Sequence, residues 1–249
     1  MEAVELTLPP YDSLSDIHGY TDGVPMSFAG NQWFLVNKII DILLRNGIRA
    51  YVETIPPGIV RQRALGAPLR VGTLTFSARP QVVSLPPALL DGLQVEERYD
   101  YVEDTIVLAY REARPSVSSW CDIKEIPRLA IPNPITEGIG AQVRDVIQGS
   151  CGSYEYLASR SFITRVHHRE IPPMLYGNAV DAGVMWVSEA KYWGFNYVVP
   201  QPELRGRLAF ALLAGAGEGA REAYRVLVSS GDELKAAYEA YGFKWIGSR

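Results

Sequence analysis

A chain of 249 residues with 47% apolar content and mixed charge has enough material for one large domain or two smaller units. Its net charge of −4 and the lack of any long Lys/Arg run exclude a nucleic-acid surface, which needs a concentrated basic stripe. No apolar run approaches the roughly 20 residues that span a bilayer, and Met1-Glu2-Ala3-Val4-Glu5 lacks the basic start and apolar core of an export signal. Two locations stay open, the cytoplasm or the outside after loss of a leader. Cys121 and Cys151 are the two cysteines; they sit in no CxxC pattern and either pair or stay reduced.

Residues 1–23, with Pro9-Pro10, Asp12, Asp16, Gly19 and Gly23, read as an irregular arm too short for a DNA-binding domain. A short strand over 24–29 ends at Gly30-Asn31-Gln32 and leads to a helix over 33–45, whose polar Asn37, Lys38, Asp41 and Arg45 share one face. Asn46-Gly47 closes that helix. A strand over 48–54 follows, then a proline-marked helix over 59–65, strand material over 71–76 and 81–85, and a short helix opened by Pro86-Pro87. Strand and helix alternating this early imply a parallel sheet with helices on its faces. The run 100–110 is extended and long enough to pass from one sheet to another.

The pattern then repeats, with a strand over 128–132, a turn over 133–140 and a helix over 141–148 that Thr136 can cap. Gly138 and Gly140 would let a ligand approach the backbone. A strand over 162–166 precedes Thr164-Arg165-Val166-His167-His168-Arg169-Glu170, which holds two of the three histidines. Pro172-Pro173 marks a helix start just after it, running to Tyr176, because proline is tolerated in a first turn only. The cluster thus sits at a helix N-terminus, where unpaired N–H groups, Arg169 and two imidazoles favour an anion. A plain solvated loop is the competing reading. A shared metal ion is disfavoured, since adjacent histidines in an extended segment point to opposite faces. Strands over 181–187, 197–200 and 208–213 and helices over 218–228 and 232–241 complete the chain, with Ser230 and Glu233 in capping-box spacing.

The duplicated pattern resembles the type II solute-binding proteins of ABC importers, and within them the molybdate- and tungstate-binding branch. The resemblance runs from about Val24 onward. Its stretches are Ala29-Gly30-Asn31-Gln32, Thr54-Ile55-Pro56-Pro57-Gly58, Asn133-Pro134-Ile135-Thr136-Glu137-Gly138, residues 164–170, Gly177-Asn178-Ala179-Val180-Asp181-Ala182-Gly183 and the tail 229–243. It implies an α/β, two-lobed type II periplasmic-binding-protein fold, each lobe a mainly parallel sheet flanked by helices. Residues 1–104 and 205–249 would form one lobe and 105–204 the other, joined by two crossing strands. It implies a monomer that holds a small anionic ligand in a cleft and passes it to importer membrane subunits, with no cofactor and no catalysis.

Carried over position by position, the family's donors fall on Gly30, Asn31 and Gln32, on Thr54 and Gly58, on Thr136, Glu137 and Gly138, on His167, His168 and Arg169, and on Trp186. Asn31 stands where serine is common, Trp186 where tyrosine is, and the histidine-arginine cluster departs from the general pattern. A Glu137 carboxylate about 4 Å from a dianion would cost about 1 to 4 kcal/mol unless paired. Arg169 is the candidate partner; otherwise the ligand carries a donor group, or is a metal ion held by Glu137 and a histidine, or a small carboxylate. Two other function classes remain, a cytoplasmic sensor of the same fold and an enzyme using Glu170 or Glu137 as base with a histidine. No activated serine or cysteine nucleophile supports the latter.

Overall fold

The computed structural model describes residues 4–5, 13–165 and 167–247. The chain folds as two units: the described residues of 1–103, 207–240 and 244–249 form the first, and those of 104–206 and 241–243 the second.

The first unit begins with β1 (Val4–Glu5), β2 (Ile17–Gly19), β3 (Val24–Ala29), β4 (Ala50–Ile55), β5 (Leu69–Val71), β6 (Leu74–Phe76), β7 (Val82–Leu85) and the first half of β8 (Val95–Tyr110). Between them lie α1 (Val36–Arg45), α2 (Pro57–Ala64) and α3 (Pro87–Leu90). β3 pairs in parallel with β4 and β7, and β4, buried along its whole length, lies between β3 and β2. α1 buries Val36, Ile39, Ile40, Ile42 and Leu43 and exposes Asn37, Lys38, Asp41 and Arg45, as its period requires. It ends where Gly47 takes a positive φ of 76°.

Two local expectations differ from the structure. The arm is not irregular throughout: Ser13–Asp16 forms a 3-10 turn and β2 adds antiparallel to β4 as an edge strand, while Pro9-Pro10 and Asp12 lie outside the described residues. The material over 71–76 is a hairpin rather than one strand, because Gly72 at φ 57° turns β5 back into antiparallel β6.

The second unit contains the rest of β8, β9 (Leu129–Ile131), β10 (Phe162–Ile163), β11 (Ala182–Trp186) and β12 (Asn196–Val198). Its helices are α4 (Gly138–Ser150), α5 (Tyr154–Arg160), α6 (Ile171–Tyr176) and α7 (Val187–Tyr192). β10, β9 and β11 are parallel neighbours, and β11 and β12 each pair antiparallel with β8. Predicted strand residue Val166 lies outside the described residues. α4 starts three residues before the predicted 141 because Gly140 allows it: a Cβ there would sit 2.2 Å from the Pro132 carbonyl oxygen. Gly140 therefore serves close packing of helix on strand, not ligand approach, whereas the space around Gly138 is open. Thr136 does not cap the helix; the cap position is Glu137. Cys121 and Cys151 form a disulfide that ties the 3-10 turn Trp120–Glu125 to the end of α4.

The chain returns to the first unit through β13 (Arg205–Leu213), α8 (Glu218–Ser229), α9 (Gly231–Ala240) and β14 (Lys244–Trp245). β13 pairs antiparallel with β7, and β14 with β8 at Val102 and Glu103. β8 and β13 pass from one unit to the other at residues 103/104 and 206/207. Glu233 departs from its expected capping role: its carboxylate lies 2.6 Å from both Lys38 and Arg45 of α1.

Candidate functional site

In the first unit, the strand β3 runs into a 3-10 turn, Gly30–Leu35, that continues as α1 and has no side-chain cap. Its first N–H groups therefore have no partner within the helix. Asn31 and Gln32 are both buried there. The Gln32 amide is taken up by the core: Nε2 donates to Ser84 Oγ at 2.8 Å, and Oε1 accepts from Tyr101 and Tyr238 hydroxyls at 2.8 and 2.6 Å. A ligand can use the Gln32 backbone, but its side chain holds three elements together. Thr54, at the end of β4, is fully buried with Oγ1 3.0 Å from His18 Nε2. Burial pushes His18 down to about 4, so this third histidine is neutral and structural. Gly58 is exposed in the first turn of α2, which begins at Pro57 after Pro56 in the cap position and likewise lacks a side-chain cap.

In the second unit the two singled-out turns are one hydrogen-bonded structure. Thr164 Oγ1 accepts from Asn133 N at 2.9 Å, and Asn133 Nδ2 donates to Arg165 O at 3.2 Å. The histidine run bends into a 3-10 turn at His168–Glu170 immediately before α6. Glu170 caps that turn, accepting from Arg165 N and His167 N at 3.0 and 3.1 Å, which commits the carboxylate to backbone donors. Because of the bend the two imidazoles lie on the same side, with ring centroids 4.4 Å apart, not on opposite faces.

Glu137 pairs with His168 rather than with Arg169. Its Oε1 is 2.9 Å from His168 Nδ1 and accepts His168 N at 3.1 Å, while His168 Nε2 lies 3.0 Å from Glu189 on α7. All three side chains are 3% exposed or less. With a carboxylate at each ring nitrogen, His168 must donate twice, which only the imidazolium does. Burial opposes that charge, but the two carboxylates outweigh it and hold the His168 pKa well above the ordinary value. Burial likewise pushes the Glu137 carboxyl up, and His168 with His167 overcomes it, leaving Glu137 ionised below the usual range.

His167 is different. Burial and the neighbouring His168 charge push it down to about 3, so it is neutral. Arg169 N approaches its Nδ1 at 3.1 Å and Arg169 Nε its Nε2 at 3.2 Å, yet a neutral imidazole accepts at one nitrogen only. One of the two is a contact rather than a bond. Burial lowers Arg169 to about 10, against the charge of Glu189, so it stays a cation at neutral pH.

Donor atoms of Glu137, His167 and His168 lie within 4.8 Å of one another, a spacing that a metal ion can use. The lone pairs of the two histidines are committed, however, since His168 carries protons on both nitrogens and Arg169 N donates to His167 Nδ1. A cation would have to displace the His168 proton beside a guanidinium. Thr136 Oγ1 is the opposite case, a buried hydroxyl without a hydrogen-bond partner among the described residues. Trp186 is 9% exposed and packs in the core of the second unit, where a Cβ on Gly206 would lie 2.5 Å from its ring.

Glu189 escaped the sequence reading. So did Asp104 on β8, which accepts from Ser188 Oγ at 2.6 Å and which burial raises to about 7. The available signal was Ser188-Glu189 directly after a fully apolar strand, where an acid is costly unless paired.

A sequence profile described as bacterial extracellular solute-binding protein matches residues 45–244. The chain belongs to that family. A search of the curated proteins finds no sequence match to this solute-binding protein. Its fold is shared with solved structures at low identity. The periplasmic molybdate-binding protein of Azotobacter vinelandii is 14% identical, with a TM-score of 0.66 over 89% of this chain and 98% of that one. Peb3 from Campylobacter jejuni is 11% identical, with a TM-score of 0.63 over 89% and 99%. The Synechocystis PCC6803 CcmR regulatory domain in complex with 2-PG is 11% identical, with a TM-score of 0.60 over 85% and 98%. The family and the molybdate-binding relative are binding proteins, not enzymes. Among the described residues no helix is long and apolar enough to cross a membrane.

Proposed function

We propose that this solute-binding protein captures a small anion outside the cytoplasm, as a monomer, and delivers it to the membrane subunits of an ABC importer. The observation that carries the reading is the Glu137–His168–Glu189 chain. It pairs the carboxylate at the start of α4 with the His168 imidazolium, and the Arg169 cation offsets the negative charge that the second carboxylate leaves on the chain, which answers the electrostatic objection to an anion there. What remains at that terminus favours negative charge: helix N–H groups without intrahelical partners, the unpartnered Thr136 hydroxyl and the open space at Gly138. In the first unit, Gly30-Asn31-Gln32 and Thr54 to Gly58 offer the uncapped starts of two further helices.

A molybdate- or tungstate-type oxyanion is the leading ligand, in keeping with the molybdate-binding relative. Arg169 favours a second reading, a short phosphorylated or carboxylated acid, because a guanidinium fork matches phosphate and carboxylate oxygens in pairs. Structures of the fold with L-phospholactate and 2-PG bring that class to mind here. The Cys121–Cys151 disulfide supports an oxidising, extracytoplasmic setting over a cytoplasmic sensor.

A thermal-shift panel on metal-stripped protein tests the reading, with molybdate, tungstate, sulfate, phosphate, 2-phosphoglycolate, citrate and zinc. A ligand at about 100 times its Kd adds about 2.7 kcal/mol of stability. For a chain of this length that raises Tm by roughly 5 to 10 °C. Stabilisation by zinc alone would overturn the anion reading and make Glu137 and the histidines a metal site.

A further inference from the structure

We infer that Glu189 is a positioning residue of the proposed anion site, holding the 167–170 turn and its Arg169 against the start of α4 by way of His168. The consequence for ligand rests on the functional reading above; the consequence for His168 rests on geometry alone.

Glu189 lies in the first turn of α7, directly after the buried strand β11, and is 1% exposed. Both of its carboxylate oxygens are 3.0 Å from His168 Nε2. Among the described residues Oε2 has no other hydrogen-bond partner, so the carboxylate faces this imidazolium. The opposite ring nitrogen belongs to Glu137, the cap position of α4, whose Oε1 also accepts the His168 backbone N–H. His168 therefore bolts the start of α4 to the start of α7, and the turn between them carries Arg169.

The bolt depends on charge. Were His168 neutral, one ring nitrogen would present a lone pair to a buried carboxylate, and that contact would turn from bond to repulsion. The other charged or titratable groups around it do not replace Glu189. His167 is neutral, Glu170 is spent on backbone N–H groups, and Asp104 is engaged by Ser188 Oγ. Arg169 is itself a cation that disfavours a second positive charge beside it. Among the described residues Glu137 and Glu189 hold the proton on His168, and Glu189 holds it from the side away from α4.

Glu189→Gln keeps the shape and an acceptor oxygen and removes only the charge. Ring 15N NMR of the full chain should show both His168 nitrogens of the native protein still protonated well above the pH at which an ordinary imidazole loses its proton. In the variant, with the Glu189 charge gone, His168 should titrate lower than in the native protein. Affinity for molybdate or phospholactate, whichever binds the native protein, should fall about tenfold at pH 8 and recover towards native at pH 6, where His168 is protonated again. A purely structural role would lower Tm at both pH values without that recovery. An unchanged His168 titration overturns the inference, as does an altered titration with unchanged affinity. Loss of the native ring protons on adding zinc at pH 8 overturns it too, since the Nδ1 lone pair would then serve a metal. If neither anion binds the native protein, the functional reading is what fails, and the NMR arm still decides whether Glu189 holds the proton.

Discussion

Arg169 and Thr136 allow the anion reading of the second unit to be tried on two side chains of opposite character. Arg169→Ala should weaken anion binding by about 1.5 to 3 kcal/mol if its bonds to the charged ligand are direct; calorimetry giving an unchanged affinity would remove Arg169 from the site. Thr136 Oγ1 has no hydrogen-bond partner among the described residues. Thr136→Val should accordingly leave stability within about 0.5 kcal/mol while costing about 0.5 to 1.5 kcal/mol of binding, and a fall in Tm without loss of affinity would make the hydroxyl structural. At this scale the sequence showed which segments matter but not which atoms meet. The run from Thr164 to Glu170 was legible because histidines, arginine and a proline-marked helix start coincide there. That Glu137 takes His168 and not Arg169 was not, since it depends on a bend that turns both imidazoles to one side. Glu189 was hidden for a similar reason: its partner lies 21 positions away across a turn and a helix.

The elements that proved legible are those whose apolar period decides their burial. β3 keeps its expected limits and α1 its expected end at Arg45, with the start of the predicted helix taken by the 3-10 turn Gly30–Leu35, because each buries one continuous face or run. The misread ones depend on contacts from elsewhere. β2 is a strand only because β4 offers it an edge, and Glu233 turns to Lys38 and Arg45 because α1 lies beside it. The disulfide belongs here as well, since nothing in the spacing of Cys121 and Cys151 distinguishes a pair from two thiols. It closes a loop of 30 residues between the Trp120–Glu125 turn and the end of the helix that Glu137 begins. Replacing both cysteines by serine should lower unfolding free energy by about 2 to 4 kcal/mol, read by urea denaturation. An equal stability with and without the bridge would make it incidental to the second unit.

At the scale of the whole chain, four ionisable groups, three of them buried and His18 half-buried, set opposing slopes of stability against pH. His18 in the first unit and His167 in the second have folded pKa values near 4 and 3, below the ordinary 6.5, so each favours the unfolded state increasingly as pH falls from 6.5. Asp104, raised to about 7, works the other way over the acid range: the folded state keeps a proton that the unfolded chain sheds above 3.8, so its burden grows from there to pH 7 and then stays constant. Two histidines outweigh one carboxyl, and stability should rise from pH 4 towards 6.5. His168 governs the other limb. Its folded pKa lies well above 6.5, so its contribution is complete below 6.5 and is lost as pH rises through the folded value. The expected curve of Tm against pH is a dome with its top between about pH 6 and 7, its acid limb set by His18 and His167 and its alkaline limb by His168. His18→Gln should flatten the acid side and leave the alkaline side intact, whereas Glu189→Gln should lower the top and flatten the alkaline side. If Glu189→Gln instead reshaped the acid limb, the proton would reside elsewhere in the cluster than on His168.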